Sequence, residues 1–106
     1  MKDLWRIELE SAADAMEHRG HVRETLETAD GRVCLFGALN LAMMGSALRW
    51  PSDQRKHVAA LSAVTGVKDR GGDYHLGLVD WNNAFARTQS EVTGALRAAA
   101  KVELPS

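Results

Sequence analysis

Cys34 is the one cysteine of this 106-residue chain, and its thiol is the side chain best suited to covalent chemistry. It lies near the start of an apolar stretch, residues 31–45, with the sequence GRVCLFGALNLAMMG. A thiol in the first turn of a helix has a lowered pKa, because free amides and the helix dipole favour the thiolate. With His21 or His18 folded beside it, Cys34 would form a nucleophilic Cys–His pair. We favour the alternative, a small buried hydrophobe, because its neighbours are apolar.

The same three side chains raise the question of a metal site. His18, His21 and Cys34 could supply three ligands, but their spacing matches no standard zinc pattern. Gly20 also interrupts the helix between the two histidines. The sequence therefore predicts no metal ion and no cofactor.

A second candidate site is the tripeptide Trp81-Asn82-Asn83, followed by Arg87. A tryptophan beside two amides could form a pocket wall that binds a planar polar ligand such as a nucleobase or nucleotide. Arg87 as a ligand contact would favour an anion. The alternative is structural: a buried indole, with amides that end one helix and support the turn into the next.

Four large apolar residues exceed the obvious needs of one small core: Trp5, Met43, Met44 and Trp50. Tryptophan and methionine are enriched at protein-binding surfaces, although they also fill cores. Our leading hypothesis is therefore a non-enzymatic protein that binds a protein partner, with self-association to a homodimer as a further expectation. A small-molecule binder at Trp81–Asn83 is the first alternative, and a cysteine-dependent enzyme is the second.

Composition limits the class of protein. The chain has 45% hydrophobic and 25% charged residues, which is typical of one globular domain, residues 1–106. Thirteen basic and fourteen acidic residues give a net charge of −1, which argues against a nucleic-acid surface. A single cysteine suits a reducing compartment, and we expect the cytoplasm. The longest apolar run, residues 33–44, is far short of the ~20 residues of a membrane span.

The elements that must position these side chains are all predicted to be helices. The pattern predicts a compact bundle of four main helices and a short fifth, with a central hydrophobic helix at about residues 33–44. Gly37 in that helix indicates close approach of a neighbouring helix. Pro51 predicts the start of a helix over residues 52–65, with Val64 on its inner face. The predicted ranges are 3–19, 33–44, 52–65, a short helix from 75 to 82–83, and a last helix after Thr88. Gly20 is the natural stop of the first helix, whose apolar stripe consists of Trp5, Leu9, Ala12, Ala13 and Met16.

The last two elements carry further expectations. Leu76 and Val79 of the short helix are predicted to enter the core. Thr88 and Glu91 have the spacing of a capping box, in which each side chain bonds a free amide at the helix start. Ahead of the central helix, Asp30-Gly31 predicts a tight turn, with a small hairpin as the alternative.

Three segments in one order, AADAMEHRGHV, DGRVCLFGALNLA and DWNNAFARTQSEVTGALRAAA, resemble a family of small proteins of unknown function from actinobacteria and their phages. The resemblance implies an all-α fold and, for a phage protein, a host protein as partner; it implies no activity. Asn83 stands where the family usually has aspartate, which favours a structural or amide-tolerant role. The matching residues are Gly31, Cys34, Gly37, Ala38, Leu39, Trp81, Asn82, Asn83, Arg87, Thr88 and Val92.

Overall fold

The computed structural model describes residues 3–67 and 74–104, and the fold in these ranges is all-α, as predicted. The fourth helix is ten residues long, the same length as the second, so it is not a minor element. Within the described ranges none of the helices has the length and apolar character that crossing a membrane requires. The helices of the described residues are α1 (Leu4–Arg19), α2 (Leu35–Met44), α3 (Arg55–Thr65), α4 (Tyr74–Asn83) and α5 (Gln89–Ala99).

Helix α1 packs against α2 and α5 most extensively and also meets α3. Its predicted apolar stripe is buried, and Gly20, with φ +97°, ends it. Asp3 precedes the helix but its side chain makes no cap bond; it pairs with Arg6 instead, at 3.3 Å. The stripe that fills the core consists of Trp5, Leu9, Ala12, Ala13 and Met16.

Helix α2 is buried over its first six residues, as predicted for a hydrophobic helix, but it packs mainly against α1, which itself contacts three helices. Gly37 is needed because a Cβ there would lie well under 3.0 Å from the carbonyl oxygen of Leu26. The neighbour that approaches Gly37 is thus the backbone of the loop between α1 and α2, not another helix. The prediction of close approach is confirmed, but the partner named for it was wrong.

The loop before α2, residues 20–34, closes on itself. Thr28 N donates to Arg32 O at 2.9 Å across the Asp30-Gly31 turn, and Cys34 N donates to Leu26 O at 3.2 Å. Isolated bridges to Val33 come from both sides of the loop. The segment therefore combines the predicted tight turn with a minimal hairpin.

Helix α3 begins at Arg55, three residues later than predicted, and Pro51 lies before it. The connector is held by side chains instead. Asp53 Oδ1 accepts a hydrogen bond from Arg55 N at 2.9 Å, and Gln54 Nε2 donates to the buried Asn40 Oδ1 at 2.8 Å. These bonds define the helix start where proline alone does not.

Two predicted core residues are exposed. Val64 is 37% exposed, because the buried stripe of α3 ends at Leu61, one turn earlier. Leu76 is 44% exposed, while Leu78 occupies the core position of α4. Residues two apart on a helix differ by about 200° around its axis, so both leucines cannot face the core.

Candidate functional site

Asn82, at the end of α4, is almost completely buried and makes four hydrogen bonds. Its Oδ1 accepts from Leu35 N at 3.0 Å and from the His21 ring at 2.9 Å. Its Nδ2 donates to Val22 O at 3.3 Å and to Asn83 Oδ1 at 3.0 Å. A side-chain amide has two donor hydrogens and two acceptor lone pairs, so every polar position of Asn82 is used.

Asn83 extends this contact to the loop. Its Oδ1 also accepts from Glu24 N at 2.7 Å, and Glu24 is held at φ +70°, a conformation uncommon outside glycine. Both bonds to Asn83 use the side-chain oxygen, which an aspartate would provide equally well. We call the contact of Asn82 and Asn83 with residues 20–35 the amide joint.

The other two predicted site residues lie beside the joint and bind each other. The Arg87 guanidinium carbon lies 4.1 Å from the centroid of the Trp81 ring, a cation–π distance. Arg87 Nε donates to Trp81 O at 2.8 Å, and Nη1 pairs with Glu91 at 2.9 Å. The guanidinium is therefore engaged on its face and along its edge.

Cys34 is the N-cap of α2 and is not in its first turn. Its Sγ accepts a hydrogen bond from Gly37 N at 3.3 Å, and the residue is only 9% exposed. Burial raises the pKa of the Cys34 thiol above its ordinary value, and this effect outweighs the backbone hydrogen bonds that lower it. The thiol is therefore the stable form at neutral pH.

The geometry also assigns the His21 proton. Leu35 N can only donate, so the atom it faces must be Asn82 Oδ1. His21 Nε2 contacts the same oxygen and must therefore carry a hydrogen. His21 Nε2 cannot then accept a proton from Cys34 while the amide joint is intact.

Among residues 3–67 and 74–104, no group of three or more His, Cys, Asp or Glu side chains could hold a metal ion.

A large concave surface lies elsewhere, between α3, the connector before it and the start of α4. We call it the apolar groove; its volume is about 820 Å³. Trp50 and Tyr74 stand at its margins, 45% and 48% exposed. Its floor is the outer stripe of α3, which consists of Arg55, Val58, Ala59, Ser62 and Ala63.

Sequence reasoning missed this groove apart from the surplus of tryptophan. The stripe at 55, 58, 59, 62 and 63 has the i, i+3, i+4, i+7, i+8 spacing of a second helix face. Small side chains such as Ala59, Ser62 and Ala63 weaken a hydrophobic pattern, so the inner face containing Leu61 dominates it. The one signal in the sequence that could have indicated the groove is that α3 has apolar or small residues on two of its faces.

A buried ionisable contact was also missed. His57 Nε2 lies 3.0 Å from Glu8 Oε1 and joins α3 to α1. The His57 ring is buried, and its Nδ1 has no partner within the described part of the chain. Nothing in the spacing of residues 8 and 57 along the chain indicates that they meet.

Over residues 3–67 and 74–104, fold and site together define a small all-α protein with an amide joint built on the fully hydrogen-bonded Asn82 and with an exposed apolar groove. The chain belongs to a family of unknown function, DUF6197, whose model matches residues 6–102. No curated protein matches the chain. No solved structure matches it either.

Proposed function

We propose that this protein is a non-enzymatic binding module that receives an amphipathic helix of a protein partner in the apolar groove. The observation that carries the proposal is the outer stripe of α3, five residues at helical spacing that line the groove, with no other described helix packed over them. Ala59 and Ala63 are exposed small residues, which allow a second helix to approach closely. A helix laid in an apolar groove is a recurrent mode of peptide recognition.

The residues around the stripe support a protein as the occupant. Trp50, Tyr74 and Arg55 line the groove, and these three residue types supply most energetic hot spots at protein interfaces. Gln54 lines the groove but its amide is already bonded to Asn40. A groove with apolar walls and few unengaged polar groups suits apolar side chains of a partner better than a polar metabolite.

The alternatives receive less support from the geometry. A nucleotide at Trp81–Asn83 needs a cation for its phosphate, and the Arg87 guanidinium is engaged with Trp81 and Glu91. A cysteine nucleophile needs a thiolate, and burial favours the Cys34 thiol. Both functions stay predictions that rest on residue type alone.

The resemblance to actinobacterial and actinophage proteins supports a host protein as the partner of a phage-encoded chain. The unpaired, buried Cys34 supports a cytoplasmic site of action, since reducing compartments keep thiols free.

The experiment compares capture of partners by the wild-type protein, Ala63→Glu and Ser11→Glu. Residue 63 lies in the groove, whereas Ser11 is exposed on α1 and lines none of the cavities described here. Both variants add the same charge at an exposed helical position. We expect Ala63→Glu to weaken partner binding at least about tenfold, because an unpaired carboxylate would be buried against apolar side chains.

Support requires more than capture of some protein. The captured partner must bind Ser11→Glu like wild type, lose Ala63→Glu, and protect the amides of residues 55–63 from hydrogen exchange. A partner that binds Ala63→Glu normally contradicts the proposal. A wild-type dimer that Ala63→Glu converts to a monomer would instead identify a second copy of this chain as the occupant.

A further inference from the structure

A smaller cavity of about 190 Å³ lies behind the groove, beside the amide joint. Trp50 and His75 line both spaces, so they separate the cavity from the groove. The inner wall includes Cys34, Val79 and Asn83. We call this space the inner cavity.

Three rings form one side of the inner cavity. The rings of Phe36 and His75 are stacked with centroids 3.9 Å apart, and the Trp50 ring lies 5.1 Å from His75. Rings prefer offset or tilted contacts with other rings, so this wall suits a planar aromatic guest. An apolar cavity of about 150 Å³ in another protein stays dry and binds benzene, which makes 190 Å³ sufficient for one or two fused rings.

The polar atoms at the cavity restrict the guest further. All hydrogen-bonding positions of the Asn82 side chain are already used, so Asn82 has no donor or acceptor left for the guest. Asn83 Oδ1 already accepts two hydrogen bonds, but its Nδ2 donates none within the described residues. One amide donor at the wall suits a ring nitrogen or carbonyl oxygen at the edge of the guest.

The charges at the wall disfavour an anionic guest. Among the described residues the wall contains no lysine or arginine, its basic side chain is the His75 imidazole, and Glu24 also lines it. A carboxylate or phosphate buried there would lose its hydration without gaining a cation.

We infer that the inner cavity is a binding site for an uncharged heteroaromatic ring system of one or two rings with one hydrogen-bond acceptor at its edge. The site is separate from the groove that the proposed function uses. Either one can therefore be present without the other.

The test measures thermal unfolding of the whole chain with three probes of one shape: benzimidazole, indole and benzimidazole-5-carboxylate. Benzimidazole has an uncharged acceptor nitrogen, indole lacks it, and the carboxylate adds a negative charge. We expect benzimidazole, at a hundred times its Kd, to raise the Tm by about 10 °C. Indole is expected to bind at least about tenfold more weakly, and the carboxylate is expected to give no shift.

Variants locate the probe. Val79→Phe fills the inner cavity from α4, and Thr25→Trp covers it from an exposed loop position that needs no core rearrangement. Both are expected to abolish the benzimidazole shift, and Thr25→Trp decides the matter if Val79→Phe does not fold. Ala63→Glu, which changes only the groove, is expected to keep the shift.

Three results would overturn the inference: no shift with either neutral ring, an equal shift with the carboxylate, or a benzimidazole shift that survives Thr25→Trp. Loss of the shift in Ala63→Glu would also overturn it, because the ring would then occupy the groove.

Discussion

The amide joint and the apolar groove lie on the two sides of Trp50 and His75, and they use polar groups in opposite ways. At the joint, Asn82 is buried and every one of its polar positions is bonded. At the groove, Trp50 and Tyr74 remain about half exposed. At the joint, the Asn82 side chain has no unpaired polar atom left. The groove, by contrast, has apolar surface that nothing in the described chain covers.

This difference separates structural from binding residues better than residue type does. A buried amide that makes all its bonds stabilises the fold, since each lost partner leaves a desolvated polar group. Exposed aromatic surface contributes little to the fold. Its burial by a partner is favourable by roughly 25 cal/mol per Å². The Trp81-Asn82-Asn83 motif is structural in its contacts, and the exposed apolar surface lies along α3 and the connector before it.

Gly37→Ala should give the largest loss of stability, and it tests how rigidly the loop that forms one side of the joint is held against α2. The added Cβ would meet the Leu26 carbonyl, a backbone atom that cannot rotate away. The loop must move, and the bond from Cys34 N to Leu26 O is lost with it. We expect a loss of about 4 kcal/mol in the free energy of unfolding, measured by urea denaturation, or failure to fold.

The matched control is Gly94→Ala in α5, where an added Cβ meets nothing within 4 Å. Alanine is preferred to glycine inside a helix, so this variant should gain about 0.5–1 kcal/mol. Equal effects of the two substitutions would show that the loop yields easily and that the joint is not rigid.

Asn82→Ala comes next and tests saturation. It removes four hydrogen bonds and leaves Leu35 N and Val22 O without these partners, so we expect a loss of about 3 kcal/mol in the same measurement. Asn83→Asp is the control, because both bonds to residue 83 use an oxygen, and it should stay within about 1 kcal/mol of wild type. A loss from Asn83→Asp as large as that from Asn82→Ala would mean that the second amide is needed as a donor.

A substitution in the groove should affect stability much less than a substitution at the joint. Ala63 is exposed, so Ala63→Glu should change the free energy of unfolding by no more than about 0.5 kcal/mol while it weakens binding of the proposed partner. A destabilisation comparable to that of Asn82→Ala would show that the outer stripe of α3 belongs to the fold, and the comparison between the two regions would fail.

Local rules predicted much of the fold. The all-α class, the buried stripe of α1, the glycine stop at Gly20 and the capping box at Thr88 follow from periodicity and termini, and the structure confirms them. The start of α3 was wrong because Gln54 and Asp53 hold the connector through contacts that Pro51 does not reveal. The Gln54 contact with Asn40 depends on where α2 lies, which spacing along the chain does not contain.

The site was less predictable for the same reason. Trp81, Asn82 and Asn83 stood out by type, but only the coordinates show that Asn82 meets residues 47 and 61 positions away along the chain. Cys34 was expected within the first turn of a helix; it is the cap, one residue earlier, where burial decides its pKa. The groove combines α3 with residues from the connector and α4, so no single segment encodes it.

The smallest effect is expected at the capping box of α5, whose hydrogen bonds are exposed, unlike those of the joint. Bonds from the Thr88 backbone and hydroxyl, and then from Arg87, hold the pKa of Glu91 below its ordinary value of 4.5. The folded state therefore binds its proton less tightly than the unfolded state does. The resulting stability is fully present above pH 4.5 and is lost as the pH falls through the lower, folded-state pKa.

Glu91→Gln should remove this part of the pH dependence, so the urea midpoints of variant and wild type should converge as the pH is lowered below 4.5. Glu103→Gln, outside the helices, is the control and should keep the wild-type profile. Solvent competes for exposed hydrogen bonds, so the difference at neutral pH should be smaller than that of Asn82→Ala. A larger difference would place the principal polar stabilisation at the surface of α5 and reverse the assignment made to the joint.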